Sequence, residues 1–504
     1  MLLGQLLKKV AVKEISGDPD LEIKGLAYDS RLVEPGYLFV AVKGNKEDGH
    51  KFVEDALSRG AVAIVGEQVK KTCQGIVVIQ VPNSREALSK LSAAFYDPPF
   101  GDMTLIGITG TNGKTTTTYL VESILKVAGA TPGVVGTVNY RFGGRTIEAP
   151  VTTPESLELM KILKEMAEAG VTDVAMEVSS HALDQGRVEE CPFKIAVFTN
   201  ISRDHLDYHQ SMNAYFEAKS MLFRGLSRHG FGGSARAVIN IDDPRGYELV
   251  GLTDVPVVTY GLGKAADIRA DGIEASITGL RARLIADEKE VVIRSPLIGE
   301  FNIYNILAAS AATLSMGIDI KDVVSGVAAL KKVPGRLELV PNDKSLALVV
   351  DYAHTPDALF NALKAVRPLA RGRVITLFGC GGDRDKGKRK EMGLVASKQS
   401  DLVFITSDNP RTEDPAFIAA QIEEGVRSSG LKKLKDCSGD SLTGPGYFLD
   451  LDRGHAIGCA VRIATRDDLV LIAGKGHEDY QIIGEEKRFF DDRIAAARVA
   501  AGEI

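Results

Sequence analysis

The segment GITGTNGKTTTT (107–118) carries the clearest chemical signal in the chain. An apolar run, TLIGIT, leads into Gly110, Thr111, Asn112, Gly113, Lys114, Thr115 and Thr116, and a helix-forming stretch follows. Glycines let backbone N–H groups turn inward around phosphate oxygens. A helix N-terminus adds a favourable dipole and unpaired donors. In such a loop Lys114 reaches the terminal phosphates and the Thr115 hydroxyl holds Mg²⁺. The longer G-x-x-x-x-G-K-[ST] spacing needs glycine at 108, where Ile108 stands, so this is a compact G-x-x-G-K-T variant. By itself the loop specifies a nucleotide binder: an ATPase, a switch, a kinase or a ligase.

Other reactive side chains also follow apolar runs. Glu177 ends DVAME, and His205 comes just after KIAVFTNIS. A carboxylate and an imidazole at neighbouring strand ends could hold a second Mg²⁺ beside the phosphates. Lys219 lies mid-helix in YFEAKSMLF, where an ammonium is costly to bury. A lysine stretching out to water is the alternative. In SDNPRTED (407–414), Asp408, Asn409 and Arg411 come right after DLVFIT, with Pro410 stiffening the turn. Arg384 in GGDRDKGKR, and Gly474 with Glu478 in AGKGHED, stand at similar places, so these residues could share one sheet edge. Taken alone, DRDKGKRK reads as a solvated charged rim.

Strands and helices must present these groups. The first block alternates short β-like runs with turn signals, then reads as helix and strand in FVEDALSRGAVAIVG. YDPPF (96–100) is a stiff break. In the second block apolar strands ending in polar residues alternate with helices such as ESLELMKILKEMAEAG. That alternation predicts a largely parallel sheet covered on both faces. VPGRLELV (333–340) reads as a hinge, and the third block repeats the βαβ pattern, with RVITLFG a strand followed by a charged loop. The fold class is α/β with three domains. Residues 1–98 form a smaller α/β domain, 99–335 a central P-loop ATPase-like domain and 336–504 a Rossmann-like domain.

The 504 residues suit that domain count, and 44% apolar residues suffice for large cores. A net charge of -6 gives no electrostatic case for nucleic acid or an anionic membrane. The cysteines at 73, 191, 380, 437 and 459 include no C-x-x-C pair, so neither a disulfide framework nor a zinc site is expected. They suit a reducing cytoplasm. No stretch has the apolar length of a membrane span, and MLLGQLLKKVAVKEISG lacks the features of a signal peptide. A cytoplasmic monomer is expected.

In order and spacing, GITGTNGKTT, AMEVSSHAL, FTNISRDHLDYH, YFEAKSMLF, GEFNIYN, VPGRLE and DYAHTPD resemble the Mur ligases of peptidoglycan synthesis over nearly the whole chain. Folylpolyglutamate synthases share the ATP-domain architecture but not the outer motifs. The resemblance implies an ATP-dependent amide ligase. It implies that Gly110 to Thr116 grip the ATP phosphates, that Thr115 and Glu177 hold Mg²⁺, and that His205 serves a second metal. It implies a carbamylated Lys219, Asn302 and Asn305 against adenine, and Arg336 and Asp351 closing over the nucleotide. Ser30, with Asn45, Lys46 and Glu47, would contact a UDP group. Thr152, Thr153, Ser179, Gln185 and Arg187 would hold the muramoyl peptide, and Lys114, Lys219 and His205 would be the catalytic groups.

The DNPR run resembles the motif of family members that add meso-2,6-diaminopimelate to UDP-N-acetylmuramoyl-L-alanyl-D-glutamate. That amino acid carries an ammonium and a carboxylate at its far end. Arginine suits the carboxylate, and aspartate or glutamate the ammonium. Lysine offers Arg411 nothing to pair with. Diaminopimelate is therefore favoured, bound by Arg384, Asp408, Asn409, Pro410, Arg411, Gly474 and Glu478. The rivals are a lysine-adding ligase, a folylpolyglutamate synthase-like ligase and a regulatory ATPase.

Overall fold

A computed structural model describes residues 1–503 except 45–46, 70–74, 230–233, 288, 436 and 438–443. The chain divides into two compact units, Met1–Arg269 with Leu307–Gly326, and Ala270–Ile306 with Val327–Ile504. Both are α/β, built on largely parallel sheets.

The first unit holds two sheets. The N-terminal one has five strands in the order Glu14–Ser16, Val77–Gln80, Ala63–Gly66, Tyr37–Val40 and Gly25–Ala27. Only the edge strand Glu14–Ser16 runs antiparallel. Apolar clusters cover both faces. Asn83 caps the helix Ser84–Tyr96, accepting from the N–H groups of Arg85 and Glu86. That helix ends in the YDPPF break, where Asp97 turns left-handed at φ 42°.

The second sheet places the phosphate loop. Six parallel strands run in the order Val257–Gly261, Arg236–Asn240, Phe193–Phe198, Thr104–Thr109, Asp173–Glu177 and Pro132–Val135. Every residue of Asp173–Glu177 is buried, and its interior, Val174 to Met176, is apolar throughout, as a strand covered on both faces requires. Register sets the chemistry: Glu177 pairs with Ile108 and Phe198 with Thr109. Three strands thus end level, and Glu177 emerges beside the loop that begins at Gly110. An antiparallel hairpin, Asn139–Phe142 and Arg145–Glu148, extends this largely parallel sheet.

In the second unit Gly279–Ala286 and Lys289–Ser295 form another antiparallel hairpin. The seven-stranded sheet follows the βαβ reading, in the order Glu338–Leu339, Ala347–Asp351, Leu469–Ala473, Val374–Phe378, Leu402–Ile405, Gly446–Leu449 and Lys432–Lys433. All its pairings are parallel except that of Glu338–Leu339. Helices bury both faces.

Two expectations need correction. The charged run after Val374–Phe378 is not only a solvated loop, because Gly387–Gln399 is helical and Arg389 is fully buried. Arg389 forks onto both Glu413 oxygens at 3.0 and 2.9 Å and onto Gln421 at 2.8 Å. Sequence alone does not reveal a carboxylate 24 residues away that pairs with a buried guanidinium. The second correction concerns the cysteines. Cys437 and Cys459 form a disulfide with Cα atoms 5.8 Å apart. Spacing gave no sign of it, since 22 residues separate them and the pairing depends on how a helix packs. Cys73 lies outside the described residues, and Cys191 and Cys380 are buried and free. Among the described residues no helix is long and apolar enough to cross a membrane.

Arg453 and Asp492 form a fully buried ion pair, bonded through Nε and Nη2 at 2.7 Å each. Nη2 also donates to the Ala473 carbonyl at 3.0 Å, tying a helix to the end of Leu469–Ala473. Removing one partner leaves a buried charge unmet, at a cost of about 3–5 kcal/mol. Arg453→Met should therefore lower stability by that amount in urea unfolding followed by circular dichroism. A change under about 1 kcal/mol would show the pair to be dispensable.

Candidate active site

The loop is pinned by the protein's own hydrogen bonds. Gly110 has φ 149°, and a Cβ there would overlap the Thr199 hydroxyl oxygen. Thr199 Oγ1 donates to the Asn112 carbonyl at 2.6 Å, and Asn200 Oδ1 accepts from the Asn112 N–H at 3.0 Å. Gly113, at φ 88°, precedes the helix Lys114–Val127. Lys114 folds back, its Nζ donating to the carbonyls of Gly110 and Thr111 at 2.9 Å each. Thr111 Oγ1 lies 3.1 Å from the Tyr215 hydroxyl. Thr115 and Thr116 are buried in the first helical turn.

Glu177 is the hub of the adjoining oxygen cluster. Its Oε2 accepts from the hydroxyls of Thr115 at 3.1 Å and Thr137 at 2.9 Å, and its Oε1 from the Thr137 N–H at 2.8 Å. Thr137 Oγ1 lies 3.0 Å from Thr152 Oγ1. Thr153 donates to the Glu177 carbonyl at 2.7 Å and accepts from the Ser179 N–H at 3.1 Å. Carboxylate and hydroxyl oxygens suit Mg²⁺. Among the described residues no group of three or more His, Cys, Asp or Glu is arranged to hold a metal. The hydroxyls of Thr115 and Thr137 make this cluster a hard-oxygen set nonetheless. Thr137 escaped the sequence reading; its one signal is a hydroxyl just after the apolar strand Pro132–Val135.

Arg187 continues the network. It donates to Gln185 Oε1 at 3.1 and 2.7 Å and to the Thr153 carbonyl at 2.9 Å, and lies 3.4 Å from Glu155. Arg85, from the N-terminal sheet's helix, lies 3.3 Å from the same Glu155 oxygen. Gln185 Nε2 donates to the Tyr208 hydroxyl at 3.1 Å. Glu155, Arg85 and Tyr208 were also missed. Ser30 is buried, and its hydroxyl helps hold the Asp55 carboxyl below its ordinary value. Glu47 is exposed, and Asn45 and Lys46 lie outside the described residues.

Lys219 does not reach out to solvent. It is fully buried in the helix Met212–Arg224, donates to the Gly110 carbonyl at 2.8 Å, and sits 4.5 Å from the Tyr215 ring centroid. Burial, and secondly the charge of Lys114, push its pKa well below the ordinary ammonium value. His205 adopts a left-handed φ of 53°, with its ring edge-on to His181 at 4.9 Å and to Tyr215 at 6.0 Å. His209 Nε2 lies 2.9 Å from the Ser180 hydroxyl.

In the second unit Asn302 and Asn305 are buried at the start of the helix Asn302–Ser315, and Asn305 Nδ2 donates to Asn302 Oδ1 at 2.8 Å. Asp351 accepts from the N–H groups of Leu337 and Ala353 at 2.7 and 2.9 Å. Burial raises its pKa against the pull of Arg336. The Arg336 guanidinium stacks 4.9 Å from the Tyr352 ring centroid.

The DNPR turn joins the Gly474–Glu478 turn. Asn409 Nδ2 donates to Glu478 Oε2 at 2.9 Å, and Asn409 Oδ1 accepts from the Ile482 N–H at 3.0 Å. Asp408, Asn409 and Pro410 are buried. Arg411 is left-handed at φ 51° and half-buried, and its Nη1 donates to the Gly382 carbonyl at 2.9 Å. Arg384 is exposed; a side chain at Gly381 would meet both Arg411 and Arg384. A Cβ at Gly474 would lie 3.3 Å from Asp408 Oδ2. Lys475, absent from the sequence reading, is fully buried between Asp408, Asn409 and Glu478.

Burial holds the imidazoles of His181, His205 and His209 below the ordinary histidine value, His181 at about 4 against 6.5. As pH falls below 6.5 the unfolded chain takes up protons first. Stability from these groups is therefore intact above that pH and is lost as pH falls toward 4. The urea midpoint should fall across this window, and less steeply in His181→Asn. Equal slopes for the two proteins would remove His181 from the effect.

The Mur ligase middle domain model matches residues 108–313, the Mur ligase glutamate ligase domain model 335–476, and the Mur ligase family catalytic domain model 22–96. A UDP-N-acetylmuramoyl-L-alanyl-D-glutamate–2,6-diaminopimelate ligase from Geobacter metallireducens is 47% identical over 99% of this chain and 98% of its own length. One of the same name from Geobacillus thermodenitrificans is 46% identical over 97% and 96%. A solved structure of a ligase of that name covers 100% of this chain with 99% of its own, at 32% identity and TM-score 0.70. Matches this close along the whole length bear out the motif resemblance: the chain belongs to the Mur ligase family.

Proposed function

We propose that the chain is an ATP-dependent ligase that joins meso-2,6-diaminopimelate to the D-glutamate of UDP-N-acetylmuramoyl-L-alanyl-D-glutamate, in peptidoglycan biosynthesis. The observation that carries the reading is the convergence of Lys114 and buried Lys219 on one carbonyl of the phosphate loop. A simple nucleotide switch has no use for the second lysine. The names of the full-length relatives support the choice of substrates.

A carboxylate is a poor acyl donor. One of its oxygens attacks the γ-phosphorus of ATP, the bond to ADP breaks, and an acyl phosphate forms. The amine then attacks the carbonyl carbon, phosphate leaves, and the amine nitrogen releases a proton. The loop Gly110 to Thr116 orients the phosphates, and Lys114 meets their charge. Mg²⁺, when bound, neutralises phosphoryl oxygens; Thr115 and Glu177 would hold one ion, His205 and carbamylated Lys219 another. A neutral Lys219 amine is the form that adds CO₂, losing a proton to become an anion. Asn302, Asn305, Arg336 and Asp351 would contact the nucleoside. Ser30, with Asn45, Lys46 and Glu47, would contact UDP; Thr152, Thr153, Ser179, Gln185 and Arg187 would hold the muramoyl peptide. We also propose domains at 1–98, 99–335 and 336–504, a monomer, and a cytoplasmic location. The cysteine count no longer supports that location, because two of the five are paired.

Lys219→Ala should be nearly inactive at ordinary Mg²⁺, with partial rescue by formate or acetate, which restore a small anion. Wild-type turnover in this variant would end the carbamate reading. Specificity is tested at Arg411. Phosphate release with the UDP-dipeptide should respond to diaminopimelate and hardly to lysine. Arg411→Ala should lower kcat/KM for diaminopimelate roughly 30-fold, the loss of a charge-assisted pair at about 2 kcal/mol. It should leave the KM for ATP unchanged and lysine nearly so. An equal fall for both amino acids would make Arg411 structural and end its role in recognition.

A further inference from the structure

Lys475 follows the strand Leu469–Ala473, lies between Gly474 and Gly476, and is fully buried. A lysine so placed is costly unless its charge is met. Its Nζ donates to Asn409 Oδ1 at 3.2 Å and to Glu478 Oε2 at 3.4 Å, and lies 3.5 Å from Asp408 Oδ1. The Tyr480 ring centroid is 5.4 Å away. Asn409 closes the circuit through its bond to Glu478. Asp408 Oδ1 is buried and makes no hydrogen bond among the described residues. Two carboxylates against one ammonium leave one negative charge, the complement of a single substrate ammonium.

We propose that Lys475 is a positioning residue that holds the Asp408 and Glu478 carboxylates aimed at the distal ammonium of the incoming diamino acid. The proposal rests on the diaminopimelate reading above. Without a cation beside it, the half-buried Glu478 carboxylate, close to buried Asp408, is disfavoured in its charged form. Burial already raises Glu478, Asp408 adds to the rise, and Lys475 and Asn409 oppose it. The other titratable groups facing this cluster are Arg453 from the helix Arg453–Ile463, Tyr352 and His354 after the strand Ala347–Asp351, Cys380 after Val374–Phe378, and Tyr480. Lys475 is the cation bonded to the cluster. Its loss should push Glu478 further up, so the carboxylate would protonate at higher pH and the ammonium would lose its partner there.

The test uses the full-length enzyme with ATP, the UDP-muramoyl dipeptide and meso-diaminopimelate, reading phosphate release. Lys475→Met should raise the KM for diaminopimelate roughly tenfold or more, as loss of a buried charge contact does. The KM for ATP and for the dipeptide should hold. The acidic limb of kcat/KM for diaminopimelate should move to higher pH. Lys475→Gln keeps an amide donor toward Asn409 and serves if the methionine variant does not fold. Asp408→Asn relieves the like-charge contact with Lys475 in place, and should move the same limb to lower pH. All three KM values rising together, or an acidic limb unmoved in every folded variant, would make Lys475 structural and overturn the proposal. A wild-type enzyme that releases no phosphate with diaminopimelate would instead overturn the substrate reading, and this proposal with it.

Discussion

The first unit turns on the close approach of Gly110 to Thr199. The strand Thr104–Thr109 and its neighbour Phe193–Phe198 end in register, so the chain leaving one must pass directly over the other. Only glycine fits the gap at φ 149°. Thr199 and Asn200 then hold the loop by its carbonyl and N–H groups. The Gly110 carbonyl is thereby fixed where two lysines, from separate helices, donate to it at 2.9 and 2.8 Å. Much of the first site's geometry follows from that point: Lys114 bends over the loop and Lys219 is drawn into the core.

The same design recurs at the carboxyl edge of the second unit's sheet with different chemistry. Lys219 meets a carbonyl, a neutral acceptor that does not repay the burial of an ammonium, and its proton affinity falls. Lys475 meets two carboxylates and an amide. One buried lysine thus has its proton affinity lowered, while the other lies against anionic partners. The difference lies wholly in the neighbours that the tertiary fold brings to each.

Burial of polar groups in both units is matched by partners far away in sequence. Arg389 rests on Glu413, Arg453 on Asp492, and Glu177 on Thr115 and Thr137. Each is costly alone and offset by the partners in the set. These networks also set directions: Arg453 ties a helix to the end of the strand beneath Lys475, and Thr153 ties Ser179 to Glu177.

The α/β class, the glycine-rich loop and the strand ends that bear Glu177, Asp408 and Glu478 were legible in the sequence, because these depend on local signals. Unbroken apolar runs mark doubly covered parallel strands, and glycines mark a turn that side chains cannot make. Ordered motifs were enough for the family. Only the tertiary structure decided which groups meet. Thr137, Glu155 and Lys475 have ordinary neighbours in the sequence and become partners of the site through register and helix packing alone. The buried state of Arg389 and the pairing of Cys437 with Cys459 were equally hidden, since a charged run or a scattered cysteine carries no mark of what lies across the sheet. Lys219 falls between the two cases. Its apolar surroundings showed that the lysine was unusual, but only its distance to Gly110 and its complete burial decided that it lies within the core.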